Sequence, residues 1–260
     1  MFISVQRKNI VKSLALILTL VTVSVMLSLN LGAVKETVAP TRLTPIYGVD
    51  TQEKKIAISF DAAWGADKTQ GIIDILKKFN ADATFFLVGF WIEKYPDMVK
   101  KIYEEGFQIG NHSQNHLKMS NISQAEMEKE IVSVNEAVEK LTGFKPILFR
   151  PPYGDYDNVL CSTVSGLNMY AIQWSVDSLD WKGISGKQIA DRVINGVKPG
   201  SIILCHNNSE HILEALPIIL MSLQNKGYTF VSIDELIYKD NYYIDSQGTQ
   251  RLKQDNTSVE

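Results

Sequence analysis

Residues 54–88, KKIAISFDAAWGADKTQGIIDILKKFNADATFFLV, decide the architecture. Lys54 to Phe60 is an apolar strand-like run. Lys68 to Phe79 then carries Ile72, Ile73, Ile75, Leu76 and Phe79 at helical spacing, and Asp82 to Val88 returns to strand character. A strand, a helix and a second strand in this order make a β–α–β unit, in which the two strands run parallel.

The alternation continues downstream. A helix is expected across Pro96 to Glu105, a short strand at Phe107 to Gly110, and a long helix at Ser123 to Leu141. Its start, Ser123-Gln-Ala-Glu126, is a capping box, and Gly143 ends it. Strands at Pro146 to Phe149, Met169 to Trp174, Ser201 to Cys205 and Tyr228 to Ser232 alternate with helices at Tyr156 to Gly166, Ser185 to Val197, His211 to Lys226 and Ile233 to Tyr238. About seven strand–helix units result, in a single α/β domain over residues 54–238. Such units close into a barrel or remain an open doubly wound sheet. No glycine fingerprint for a dinucleotide follows the first strand, which removes the usual reason for the open sheet.

Outside this domain the composition changes. Arg7, Lys8 and Lys12 precede an uncharged run from Ser13 to Val34, which reads as a signal-anchor segment (1–34) with its N-terminus inside and the folded body outside the cytoplasm. The run is longer than the core of a cleavable signal, and Leu31-Gly32-Ala33 lacks a small residue at its first position; cleavage would instead give a secreted protein. Residues 35–53 read as a linker and 239–260, polar and poor in apolar residues, as a disordered tail. A formal net charge of -3 leaves no basic field for nucleic acid. The two cysteines, Cys161 and Cys205, do not make a disulfide framework, and Cys205 in its apolar run reads as a buried small hydrophobe.

In a parallel barrel, chemistry collects where strands end. Asp61 follows the first strand, His112 and His116 the third, Arg150 and Tyr153 the fourth, Asp177 and Asp180 the fifth, and His206 the sixth. The i, i+4 spacing of His112-Ser-Gln-Asn-His116 would place two imidazoles on one face of a helical turn, near enough to share a metal ion; two solvated histidines in a loop are the alternative. Asp61 reads as a site carboxylate or a helix cap. Arg150-Pro-Pro-Tyr-Gly154 is a rigid turn able to aim a backbone N–H at an oxyanion. His206 reads as a general acid or a core histidine, and His211 as a surface residue. No Gly-x-Ser-x-Gly elbow of a serine hydrolase occurs.

Together, Ser59-Phe-Asp61, His112-x-x-x-His116, Arg150-Pro-Pro-Tyr-Gly154, Asp177-x-x-Asp180-Trp181 and Leu204-x-His206 resemble, in order, the motifs of the polysaccharide deacetylase family, carbohydrate esterase family 4. The resemblance covers Lys54 to Tyr238. Phe60-Asp-Ala-Ala-Trp-Gly65 is similar to its sporulation-associated branch. The resemblance implies a distorted (β/α)7 barrel and removal of N-acetyl groups from an acetylated polysaccharide, peptidoglycan or chitin-like. It implies Asp61 as general base, oriented by Arg150, and His112 and His116 as ligands of a divalent metal. That metal is Zn2+ first, with Co2+, Mn2+ and Fe2+ as alternatives. It further implies an oxyanion donor in the Tyr153 N–H, and His206 as general acid tuned by Asp180. Trp181 and Leu204 would line the acetyl pocket, with Asp177 on the substrate side.

One departure stands out: the family usually has Asp-Asp where this chain has Asp61-Ala62, so the third metal ligand is missing. Asp61 or the nearby Asp67 is expected to compensate in part. An O-acetyl esterase and a non-catalytic glycan-binding barrel remain as further readings.

Overall fold

A computed structural model of the chain describes residues 7–31 and 42–254, in two units. The first is helix α1 (Arg7–Leu31). Its 25 residues span about 38 Å, enough for a hydrocarbon core of about 30 Å. Lys12 is the one charge between Asn9 and Met26. A helix of this length and composition fits a membrane span and a signal sequence alike.

The second unit begins at Arg42. Its elements, in chain order, are β1 (Gly48–Val49), β2 (Lys55–Ala62), α2 (Thr69–Lys78), β3 (Thr84–Leu87), α3 (Gly89–Lys94), α4 (Pro96–Glu104), β4 (Gln108–Asn111), α5 (Gln124–Thr142), β5 (Leu148–Phe149), α6 (Asn158–Gly166) and β6 (Tyr170–Ala171). There follow β7 (Val176–Asp177), α7 (Gly186–Gly196), β8 (Ile202–His206), α8 (Ile212–Asn225), β9 (Thr229–Phe230), α9 (Ile233–Leu236), β10 (Tyr242–Ile244) and β11 (Thr249–Leu252).

Seven parallel strands form one curved sheet in the order β6-β5-β4-β3-β2-β8-β7, and β9 pairs with the start of β2. This is the distorted (β/α)7 barrel. Among the described residues no ladder joins β6 to β7; bridges from Ile46 to Ile172 and from Gly48 to Ser201 tie the two margins to the segment before β2. Strand β2 is central because both of its faces are buried. Ile56, Ile58, Phe60 and Ala62 pack outward with Ile72, Ile73 and Leu76 of α2 and Ile219 and Leu220 of α8. Ala57 packs with Phe86 and Ile202. Alternation puts Ser59 and Asp61 on the same face as Ala57, toward the barrel axis. Each large aliphatic side chain so buried contributes about 1.5–3 kcal/mol. The capping box of α5 is formed: Glu126 accepts from the Ser123 N–H at 2.9 Å, and Gly143 closes the helix at φ 74°.

Two segment boundaries are corrected. Residues 239–254, expected to be disordered, carry the antiparallel β10–β11 hairpin, and β11 lies parallel to β1 with Gly48 opposite Thr249. Polarity misled because the polar groups satisfy one another. The buried Gln250 side chain bonds both the N–H and the C=O of Tyr238, and Arg251 pairs with Asp245 and Asp50. Residues 255–260 lie outside the described ones. The expected linker 35–53 is also cut short: from Arg42 the chain belongs to the body, with Ile46 and Val49 buried beside Ile172 and Ile202. The rest, 35–41, lies outside the described residues.

The junction between β1 and β8 depends on Gly200, whose φ is +76° and where a Cβ would stand 1.8 Å from the Val49 carbonyl oxygen. Gly200→Ala should cost about 2 kcal/mol or more, lowering Tm by roughly 4–8 °C. An unchanged melting curve would contradict this packing.

Candidate active site

The carboxyl ends of β2, β4, β5, β7 and β8 surround a cleft of about 640 Å³. Asp61, His112, His116, Tyr153, Asp177, Asp180, Trp181, Leu204 and His206 all line it. Arg150 lies behind, fully buried. All ten residues singled out from the sequence are therefore gathered at one mouth.

Arg150 crosses the barrel interior to reach Asp61. Its Nη1 donates to Asp61 Oδ1 at 2.7 Å and to Ser59 Oγ at 2.9 Å, and its Nη2 donates to the Gln173 carbonyl at 3.2 Å. The guanidinium also stacks 4.0 Å from the Phe86 ring centroid. Burial by itself would raise the Asp61 pKa, but the Arg150 charge, with His112 and His206 nearby, holds the carboxyl below its ordinary value. Asp61 is therefore ionised across the neutral range.

His112 and His116 meet differently from the helical turn their spacing suggested. Residues 112–116 form a loop in which Ser113 and His116 take left-handed backbone angles (φ 63° and 54°). The imidazole centroids are nevertheless 5.0 Å apart. His112 Nδ1 contacts the Arg150 carbonyl at 2.7 Å. A carbonyl only accepts, so Nδ1 carries the proton and the lone pair lies on Nε2, 3.4 Å from Asp61 Oδ2. His116 Nδ1 is buried with no partner among the described residues. Burial lowers both pKa values, that of His116 to about 4, with a smaller contribution from the neighbouring His112. Two neutral imidazoles with available lone pairs, beside an ionised carboxylate, suit a divalent cation. Among the described residues no group of three His, Cys, Asp or Glu side chains is assembled as a ligand set. Ala62 is buried in the apolar cluster. Asp67 does not compensate: its side chain is 71% exposed, pairs with Lys68 at 3.6 Å, and lies outside the cleft.

The loop is clamped from helix α5. Glu130 accepts from the Asn115 N–H and Nδ2 at 2.7 and 2.6 Å, and Asn135 accepts from Asn111 Nδ2, whose amide oxygen in turn takes the Ser113 N–H. Sequence reasoning missed Glu130 and Asn135. Their signal is that both stand in the apolar stripe of α5, with Met127, Ile131, Val134 and Val138.

Across the cleft, Asp180 holds His206 twice, accepting from its backbone N–H at 2.8 Å and from Nδ1 at 2.7 Å. Nε2 is left for the cleft. Burial lowers the His206 pKa, but the Asp180 hydrogen bond and charge, with Asp61 and Asp177, raise it above its ordinary value overall. Asp61 and His206 are register partners on adjacent parallel strands, so the carboxylate and the imidazole stand side by side on the same face of the sheet. Tyr153, at φ 60° in a turn of Pro152–Gly154, packs its ring 4.6 Å from His116, and its N–H donates to no acceptor among the described residues. Asp177 spends one carboxylate oxygen capping the Leu179 N–H at 2.8 Å. Leu204 is 3% exposed and Trp181 60%. Trp64, Trp174 and Asn208, none of them singled out beforehand, also line the cleft.

The sequence profile of polysaccharide deacetylases matches residues 48–172. Over 196 residues the chain is 36% identical to a peptidoglycan-N-acetylglucosamine deacetylase of Bacillus cereus, spanning 74% of this chain and 92% of that protein. The chain belongs to the polysaccharide deacetylase family, carbohydrate esterase family 4. The solved structure of Bacillus subtilis PdaA, also of this family, superposes with a TM-score of 0.71 at 34% identity, covering 74% of this chain and 84% of that one. So does a family 4 pseudoenzyme from Bacillus anthracis, with a TM-score of 0.72 at 32% identity over 75% of this chain and 69% of that one.

Proposed function

We propose that this protein hydrolyses N-acetyl groups on a cell-wall glycan, peptidoglycan or a chitin-like chain, on the outer side of the membrane to which α1 anchors it. If the N-terminal segment is cleaved, the body is secreted. The variant 60–65 supports a role in spore formation. The observation that carries the reading is a pair of neighbours on β2 and β8: Asp61, ion-paired to Arg150, and His206, hydrogen-bonded through Nδ1 to Asp180.

His112 and His116 would hold a divalent cation, Zn2+ first and Co2+, Mn2+ or Fe2+ as alternatives, with Asp61 beside them. Such a cation supplies Lewis-acid polarisation and acidifies water. Asp61 takes the proton from the attacking water as its oxygen bonds to the acetyl carbon. The Tyr153 N–H stabilises the oxyanion, and Leu204 walls the acetyl methyl. His206 Nε2–H gives its proton to the departing nitrogen as the C–N bond breaks, leaving acetate and a free amine. Trp181 and Asp177 bind the sugar.

Acetate release from N-acetylglucosamine oligomers and from peptidoglycan tests this, with Zn2+ added. Release should follow zinc content, and His112→Ala should hold no zinc through dialysis and release none. A second reading, a silent glycan binder, is favoured by Ala62 in place of the family's second aspartate, and the related Bacillus anthracis pseudoenzyme lends it support. Oligomer binding without acetate release would establish it. Zinc-independent release at the wild-type rate would overturn the proposed metal role.

A further inference from the structure

Trp64 is a large side chain whose position the catalytic reading does not use. It stands 57% exposed on the cleft wall. Its exposure is not that of a loose loop. The carbonyl of Gly65 accepts from Trp91 Nε1 at 2.7 Å and from Asn207 Nδ2 at 2.8 Å, and Gly65 itself sits at φ 63°. The indole is braced by Phe90, at a centroid distance of 6.3 Å, and by His116 at 5.1 Å. A fixed backbone and two ring neighbours thus present an apolar face to water on the cleft wall. Exposed apolar surface held rigid in a cleft marks a binding site.

Its location specifies what binds. Phe90 follows β3 and His116 follows β4, so Trp64 belongs to the β3–β4 side of the mouth. Trp181 follows β7, at the other end of the strand order. Asp61 on β2 and His206 on β8 lie between them. We propose that Trp64 is a second sugar platform, stacking on the pyranose of an N-acetylhexosamine chain next to the residue being deacetylated, with Trp181 serving the opposite side. The apolar C–H face of a β-linked pyranose matches an indole in size and polarity, and aromatic rings give large contact area at low entropic cost. The proposal rests on the deacetylase reading for the class of ligand. It adds that the cleft requires a chain rather than a single sugar.

The test is titration calorimetry of N-acetylglucosamine dimer and tetramer into the full detergent-solubilised chain carrying His206→Ala, so that no titrant is consumed. Adding Trp64→Ala should weaken tetramer binding about tenfold and dimer binding less than twofold, and Trp64→Phe should recover most of the loss. Because Trp64 touches His116, zinc affinity is measured in parallel. Unchanged tetramer affinity in Trp64→Ala overturns the proposal. So does equal loss for both lengths accompanied by weaker zinc binding, since Trp64 would then act through His116. Binding is read without turnover, so failure of acetate release in the wild type leaves this result standing on its own, and the reverse holds too.

Discussion

Asp61→Asn should lower kcat by about 10³-fold, the range expected when a general base is removed, and should also destabilise the barrel. The second effect follows from where Arg150 sits. It is fully buried, and Asp61 is its partner in the only ion pair it makes among the described residues. Breaking a buried pair from one side leaves an uncompensated charge, at a cost of about 3–5 kcal/mol. Ser59 and the Gln173 carbonyl still accept from the guanidinium, which places the expected loss at the lower end. The sign with pH is set by the depressed Asp61 pKa. A carboxyl whose folded pKa lies below its unfolded one stabilises at neutral pH and loses that contribution as pH falls through the folded value. Arg150→Met should be comparably damaging, because burial then raises the Asp61 pKa with only His112 and His206 left to oppose it. The double variant should lose less stability than the two single losses combined. Additive losses by chemical denaturation would show that the two side chains are not coupled.

Asp180→Asn should act on the opposite partner and be read in the pH profile. Burial lowers the His206 pKa, but the Asp180 hydrogen bond and charge raise it above its ordinary value overall. Activity therefore falls on the alkaline side as pH rises through that raised value. In Asp180→Asn the hydrogen bond is weaker, the charge is gone and burial dominates, so the alkaline limb moves to lower pH. At neutral pH kcat should drop about 10²-fold or more, since both the orientation of the acid and its protonation are impaired. The acid limb, governed by Asp61, should stay in place. If kcat falls while the alkaline limb does not move, Asp180 only positions the ring and does not set its pKa.

The sequence exposed the site better than it exposed the edges of the fold. The polar residues at strand ends were conspicuous because each interrupts or follows an apolar run, and parallel topology sends all such ends to one face. Helices with caps and stripes, such as α5, were equally clear. What stayed hidden was made by non-local pairing. Strands β1 and β7 have two residues each, too few for any alternation to register, and β10–β11 is a polar hairpin tied to Gly48 and Asp50, far away in the chain. The His112–His116 loop was misjudged in conformation because spacing cannot distinguish a helical turn from two left-handed residues. Asp67 was close in sequence to Asp61, yet the turn at Gly65 carries it to the surface.

The pairing of β1 with β11 has a kinetic consequence. Gly48 emerges about 200 residues before Thr249, its partner, a delay of roughly 10–40 s at ordinary rates of synthesis. Ile46 and Val49 wait for Ile172 and Ile202 before they are covered, and β1 waits longer still, for β11. Closure of the small sheet must be among the last events of folding. The interval is when the nascent protein is most exposed to proteolysis and to misassociation, and a chaperone acting on this family member would find its target at residues 42–53.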